Sequence, residues 1–226
     1  MISVQIMQRE LVVDHTLLLW VKTEGEFNYA PGDYLMMGVH PDSVKPFSIA
    51  NAPREDGLIE MHIRLNNDDW LQELAQQQVG DHLWIDGPHN QMKLMPEQPL
   101  NIYIAGGTGL APIKAMIEAR LAQGLTQPTW LYWGASYVED FYLRDPQWWP
   151  AGLHERVHFV PVLSNDEQAK TVNWQGKLGL VHQVALADHP DLNNAQVYVC
   201  GAWEMIKTVK ADCIAAGLPA ERIQPL

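Results

Sequence analysis

Leu100-Asn101-Ile102-Tyr103-Ile104-Ala105-Gly106-Gly107-Thr108-Gly109-Leu110-Ala111-Pro112 decides the reading of this chain. The first six residues are an apolar-rich run with the length and character of a buried strand. Three glycines then break it, and a helical pattern follows from Pro112 to about residue 123. Pro112 suits a first helical turn because the N–H it lacks would be unpaired there anyway. Glycines without Cβ let a ligand approach the backbone, and the unpaired amides and dipole of a helix start favour negative charge. Such a turn is a cradle for a diphosphate. The standard dinucleotide fingerprint has a third glycine where Pro112 stands and an acid ~20 residues on, so this is a different design. No Gly-Lys-Ser/Thr follows, which excludes a Walker A loop. Taken alone, the turn is also compatible with a purely structural junction.

Beyond this stretch, strands at 129–134, 157–163 and 196–200 alternate with helices at 137–143, 179–187 and 203–216, the rhythm of a parallel sheet flanked by helices. Before it the rhythm differs. Short strands at 3–7, 17–21, 34–39, 47–50, 58–64 and 82–86 are separated by turns such as Ala30-Pro31-Gly32-Asp33 and Glu55-Asp56-Gly57, with one helix at 69–77. That spacing predicts a small antiparallel barrel or sandwich. Pro96-Glu97-Gln98-Pro99 reads as the junction, giving a β domain at 1–97 and an α/β domain at 98–226.

Composition narrows the function. The chain has 226 residues, with 15 Lys+Arg against 27 Asp+Glu and a net charge of −12. Without a basic cluster, a nucleic-acid surface is not expected. Nine Trp, seven Tyr and four Phe supply material for a packed core rather than disorder. Two cysteines, Cys200 and Cys213, allow neither a disulfide framework nor a four-cysteine iron–sulfur cluster within this sequence. The histidines lack ligand spacing, so no metal is expected. The start MISVQIMQRE has no signal-peptide pattern, and the Leu17–Val21 apolar run is far short of the ~18–20 residues that span a bilayer. A cytoplasmic protein without membrane insertion is expected. Trp148-Trp149-Pro150 reads as a cover for sheet or loop, and no Gly-x-Ser-x-Gly elbow is present.

Two further motifs stand out. Tyr198-Val199-Cys200-Gly201-Ala202-Trp203-Glu204-Met205 takes a strand end through small residues into a helix. In a parallel sheet it shares the ligand-facing edge with the glycine turn. A lone buried cysteine is commonly an inert thiol, and this edge position gives Cys200 equal standing as a functional one. Lys45-Pro46-Phe47-Ser48-Ile49-Ala50-Asn51, in the β half, reads by itself as a strand start with an exposed cation.

In this order, the three motifs resemble the ferredoxin–NADP reductase superfamily, and within it the compact NAD(P)H:flavin oxidoreductases of bacteria. The resemblance covers essentially the whole chain and implies a flavin-binding antiparallel β-barrel followed by an NAD(P)-binding α/β domain. In that family an Arg-x-Tyr/Phe-Ser/Thr segment lines the flavin. The resemblance therefore implies that Phe47, beside Pro46, packs near the isoalloxazine, that Ser48 hydrogen-bonds N5, and that Lys45 stands where an arginine meets the flavin phosphate. A lysine in that place is a point charge without the bidentate fork. Tyr34 and the strand residues His62, Ile63 and Arg64 match places that border the flavin.

Relatives follow that strand with a Gly-Gly-x-x-Ser/Thr turn that cradles a diphosphate. Here the text is Leu65-Asn66-Asn67-Asp68-Asp69-Trp70, with two acids that repel a phosphate or serve as helix caps. Both departures imply a flavin (FAD, FMN or riboflavin) held by its ring and ribityl chain, more as substrate than as prosthetic group. By the same resemblance Gly106, Gly107, Thr108, Gly109, Leu110, Ala111 and Pro112 cradle the nicotinamide dinucleotide, Cys200 and Gly201 sit beside the nicotinamide, and Met205 is a further cofactor-binding candidate. Ser136 stands where the adenosine ribose is bound. Glu139 and Asp140 follow it, which favours NADH over NADPH unless Arg144 or a lysine supplies a charge. Relatives often finish with an aromatic over the flavin, whereas this sequence ends Arg222-Ile223-Gln224-Pro225-Leu226, implying a more open flavin face or a different natural end.

The expected reaction is hydride transfer from the reduced nicotinamide to flavin N5, with Ser48 and Cys200 as the catalytic residues. A downstream flavin-dependent or electron-accepting protein is the expected partner. The alternatives are an FAD-bound electron-transfer reductase serving an iron–sulfur or oxygenase partner and, in a different class, a non-catalytic nucleotide sensor.

Overall fold

The computed structural model describes residues 1–13, 15–90 and 92–225. Among the described residues, twelve strands form two six-stranded sheets. The first contains β1 (Ile2–Val12), β2 (Thr16–Thr23), β3 (Tyr34–His40), β4 (Ser43–Ser48), β5 (Ile59–Arg64) and β6 (His82–His89), with helix α1 (Asp69–Gln76) between β5 and β6. Its order is β4-β3-β6-β1-β2-β5, with antiparallel pairing throughout. An antiparallel bridge from Ile49 to Met61 joins the two edges, so the sheet curls into a barrel.

The Leu17–Val21 run shows how the barrel meets the rest of the molecule. Successive side chains of a strand point to opposite faces. Leu17, Leu19 and Val21 fill the barrel with Leu35, Met37, Met61 and Ile85. Leu18 and Trp20 turn outward into a second core with Tyr103, Ile113 and Met116. The strand is apolar on both faces because one faces the barrel interior and the other faces the neighbouring domain.

The second sheet is parallel, in the order β10-β9-β8-β7-β11-β12. It contains β7 (Leu100–Gly106), β8 (Thr129–Ala135), β9 (His158–Leu163), β10 (Lys177–Leu178), β11 (Ala195–Cys200) and β12 (Ile223–Pro225). The helices are α2 (Leu110–Ala122), α3 (Leu153–Arg156), α4 (Asp166–Thr171), α5 (Val181–Asp188) and α6 (Trp203–Ala215). Tyr103 and Ala105 of β7 pack toward α2, whereas Ile102 and Ile104 pack toward α5 and α6. The strand order reverses around β7, so the carboxyl ends of β7 and β11 flank a switch point, where open α/β sheets bind ligands.

One expected element is corrected. Residues 137–143 form no helix beyond a single 3-10 turn at Val138–Asp140. Phe141, Tyr142 and Leu143 do not share a helical face. Phe141 stacks on Trp174 at 5.4 Å, while Tyr142 and Leu143 are buried. Trp149 is buried in the core against Trp133 and Phe159, as a cover for the sheet. No helix among the described residues is long and apolar enough to cross a membrane.

Candidate active site

The three motifs meet at one cleft of about 540 Å³ between the barrel and the parallel sheet. Lys45, Pro46, Phe47 and Ser48 of β4 line one wall with His62 and Arg64 of β5. Gly106, Thr108, Gly109, Ala111, Cys200 and Gly201 line the other. A second cleft of about 540 Å³ continues from it across the sheet edge, and Gly106 and Ala202 border both. Gly107, Ser136, His182, Glu204 and Met205 line this second cleft.

Packing explains the glycines. A Cβ on Gly109 would lie 2.4 Å from the Cys200 carbonyl oxygen, and one on Gly106 would lie 2.6 Å from Met205 Sδ. The β7 and β11 turns thus touch backbone to backbone. Gly107 differs: it has φ +53°, and a Cβ there would meet nothing within 4 Å, so it presents bare backbone to open space. The indole of Trp133 donates to the Gly107 carbonyl at 3.0 Å and anchors the turn from below.

On the barrel wall the sequence folds back on its own cation. Asp68 caps α1 by accepting from the Leu71 amide (3.1 Å), and the same carboxylate pairs with Lys45 Nζ at 2.8 Å. These bonds, the lysine's first, hold the Asp68 carboxyl below its usual range. Lys45 also lies over the Trp70 ring, 5.0 Å from its centroid, and Trp70 stacks on Phe47 at 5.9 Å.

Behind the cleft a buried network ties the domains together. His62 Nε2 lies 2.8 Å from Glu60, His62 Nδ1 lies 2.9 Å from the Tyr142 hydroxyl, and Lys114 Nζ on α2 reaches Glu60 at 2.8 Å and the Ala50 carbonyl at 3.2 Å. Burial opposes ionisation of Glu60, but the Lys114 ammonium and the His62 hydrogen bond outweigh it and hold the carboxyl at about 2. Burial also pushes His62 down, which keeps it neutral at pH 7, and pushes the Tyr142 phenol well up. The bond directions follow. An ionised Glu60 only accepts, so His62 Nε2 donates to it, and the free Nδ1 lone pair accepts from Tyr142. A second link pairs Asp140 with Arg64 (2.5 Å) and His15 (3.2 Å).

Cys200 borders the cleft, but burial pushes its thiol up to about 12, so it is a neutral group and not a thiolate nucleophile. Among the described residues lining the second cleft are Asp140 and Glu204, and none is a Lys or Arg. Arg144 does not reach it and donates to the carbonyls of Phe141 and Val138.

Four candidates border neither cleft. Tyr34 packs on His89 at 5.0 Å, Ile63 fills the barrel, and Leu110 and Pro112 are buried where α2 starts. Tyr34 is opposite Ser48 across the β3–β4 pair. The motifs did not announce Leu71, Ala202, Gly134, Ser164, His182 or Thr208 as lining residues. Gly134 carried a signal, since a glycine at a strand end reads as a close approach. A Cβ there would lie 2.8 Å from Val181.

Comparison with known proteins agrees with this geometry. Residues 1–102 match the family described as FAD-binding domain, and residues 103–211 match the family described as oxidoreductase NAD-binding domain. The chain is 34% identical over 207 residues to the CDP-6-deoxy-L-threo-D-glycero-4-hexulose-3-dehydrase reductase of Yersinia pestis, which covers 89% of this chain and 60% of that protein. It therefore spans about three fifths of that relative's length. It is 32% identical over 200 residues to the NAD(P)H-flavin reductase of Vibrio harveyi, covering 84% of this chain and 82% of that one. The fold superposes on the ferredoxin reductase in carbazole 1,9a-dioxygenase with a TM-score of 0.86 and 21% identity, over 99% of this chain and 68% of that one. A flavin-type barrel, a nucleotide-type sheet and these relatives together define the lineage: the chain belongs to the ferredoxin–NADP reductase superfamily, among the relatives of the two-domain NAD(P)H-flavin reductases.

Proposed function

We propose that this chain is an NAD(P)H:flavin oxidoreductase that passes a hydride from NADH to N5 of a flavin bound as a substrate or loosely held cofactor. The observation that carries the reading is the single cleft in which Phe47 and Ser48 face the glycine turn and Cys200-Gly201. The residues fit both groups: an apolar aromatic and a hydroxyl suit a heterocyclic ring, and bare backbone at Gly107 beside the start of α2 suits a diphosphate. When bound, the flavin supplies the two-electron chemistry.

The chain supplies binding, orientation and dryness. Phe47, with Trp70 stacked against it, offers an apolar ring, and the Ser48 hydroxyl donates a hydrogen bond at the reacting end. Amides of residues 107–111 hold the dinucleotide's phosphates without a cation. Cys200, kept neutral, shapes the nicotinamide pocket by contact and takes no proton. The Glu60–His62–Tyr142–Lys114 network fixes the two walls relative to each other, and such positioning is worth orders of magnitude in rate. The acidic lining of the second cleft, with Asp140 and Glu204, suits the 2′-hydroxyl of NADH better than a 2′-phosphate. Few cysteines and diffusible substrates suit a cytoplasmic enzyme.

The test is NADH oxidation by extensively dialysed protein with and without added flavin. Turnover that depends on added flavin, and that slows in Ser48→Ala, supports the reading. Protein that stays yellow and turns over without addition favours an FAD-bound electron-transfer reductase, the reading suggested by the longer dehydrase-reductase relative. Nucleotide binding without oxidation favours a sensor.

A further inference from the structure

We propose that Asp68 acts as an internal anion that occupies Lys45, so that the barrel side of the cleft selects flavins without a phosphate. The proposal rests on the flavin-reductase reading and names its substrate class. Among the described residues lining the interdomain cleft, the cations are Lys45 and Arg64. Both are engaged: Lys45 with Asp68 at 2.8 Å, and Arg64 with Asp140 at 2.5 Å. A phosphate entering on this side meets no uncommitted cation.

Asp68 is held in place from several directions. Its carboxylate accepts from the Leu71 amide at 3.1 Å and from Lys45, and its own amide donates to Asn66 Oδ1 at 2.8 Å. The carboxylate therefore fills the place where the first turn of α1 would favour an anion. Asp69, in that same turn, adds a second negative charge. Lys45 is further fixed above the Trp70 ring at 5.0 Å. Hydroxyls of a ribityl chain are neutral and can hydrogen-bond to these carboxylates, whereas a phosphate is repelled by them and must displace one to reach Lys45.

The two halves of the cleft thus treat phosphates oppositely. The glycine turn accepts them through backbone amides, and the barrel wall refuses them through its own acid. This asymmetry directs the phosphate-bearing dinucleotide to the α/β side and the neutral flavin to the barrel side.

The experiment compares kcat/KM for riboflavin, FMN and FAD at saturating NADH in wild type and Asp68→Asn. Asparagine caps a helix as well as aspartate, so the substitution removes charge and keeps α1. A melting temperature within a few degrees of wild type checks that the fold is kept. Wild type is expected to prefer riboflavin. The FMN-to-riboflavin ratio is expected to rise about fivefold in Asp68→Asn, a modest change because the charge is exposed. The gain should shrink in high salt and vanish in Asp68→Asn/Lys45→Met. An unchanged ratio in Asp68→Asn, or a wild-type preference for FMN or FAD, overturns the role of Asp68 and leaves the flavin-reductase reading standing. Absence of NADH oxidation with all three flavins in both proteins overturns that reading itself.

Discussion

Replacing Gly109 by alanine separates close approach from backbone freedom. Gly109 has φ −58° and ψ −9°, a conformation open to any residue, so its missing Cβ provides only space. An added Cβ would lie 2.4 Å from the Cys200 carbonyl oxygen, 2.6 Å from its carbon and 2.8 Å from the Gly201 nitrogen. All three are backbone atoms, so no side chain can rotate away. Ordinary contact begins at 3.4 Å, so the β7 and β11 turns must part by about 1 Å. Overpacking of this kind costs about 1–3 kcal/mol, or roughly 2–12 °C of Tm for a chain of this size. The effect on turnover should be larger, because a misplacement of ~1 Å at the reacting groups costs about 100-fold. The assay is the single-turnover rate of flavin reduction at saturating NADH, read beside the melting temperature. Gly107→Ala is the contrast: its φ of +53° imposes strain of about 1–2 kcal/mol, and its Cβ points into open space. It should raise the KM for NADH and leave the limiting rate near wild type. A Gly109→Ala protein that keeps wild-type rate and Tm would refute the backbone-to-backbone account of the turn.

Further expectations follow from the buried network and the second cleft. Lys114→Met leaves the Glu60 carboxylate buried without its cation, a loss of about 3–5 kcal/mol measurable as a lower urea midpoint; an unchanged midpoint contradicts the network. Glu60 ionises at about 2 when folded against 4.5 for the ordinary group, so its contribution is full above pH 4.5 and fades as the pH falls toward 2. His62 is depressed below 6.5, so the unfolded chain takes up a proton there first and stability also falls as the pH drops below 6.5. A pH series of urea midpoints should show that decline in wild type and a shallower one in His62→Gln, and equal slopes would count against it. NADH should be preferred to NADPH, and Ser136→Arg should narrow the preference about tenfold in kcat/KM by supplying a phosphate-binding fork; an unmoved ratio argues against placing the ribose there. With its thiol pushed up to about 12 and buried, Cys200 should resist iodoacetamide at pH 8 until urea is added, and rapid alkylation of the native protein would contradict that.

The legible parts of the sequence were those in which a local rule and the global fold agree. The run of residues 100–112 states strand, turn and helix start in consecutive residues, and β7, the glycine turn and α2 follow it closely. The residues that line the cleft from β4 and β11 were legible because each motif sits at a strand end. Pairwise tertiary contacts were not. Nothing local to Tyr142 marks it as a partner of His62, 80 residues away, and the same holds for Lys114 and Glu60, 54 apart. Tyr34 is expected at the flavin only through the family resemblance, and the packing of its ring on His89, a contact set by β3–β6 pairing, has no local signal. Asp68 was legible as cap or repeller, and the fold makes it both cap and ion-pair partner with a single carboxylate.

The most direct test of the account is an anaerobic rapid-mixing experiment with dialysed protein, free flavin, and NADH carrying deuterium at C4. The account predicts that flavin bleaches only when protein, flavin and NADH are all present, in step with NADH oxidation, and that bleaching slows with the transferred deuterium and in Ser48→Ala. NADH oxidation that proceeds without added flavin, or flavin reduction insensitive to both the isotope and Ser48, would contradict it.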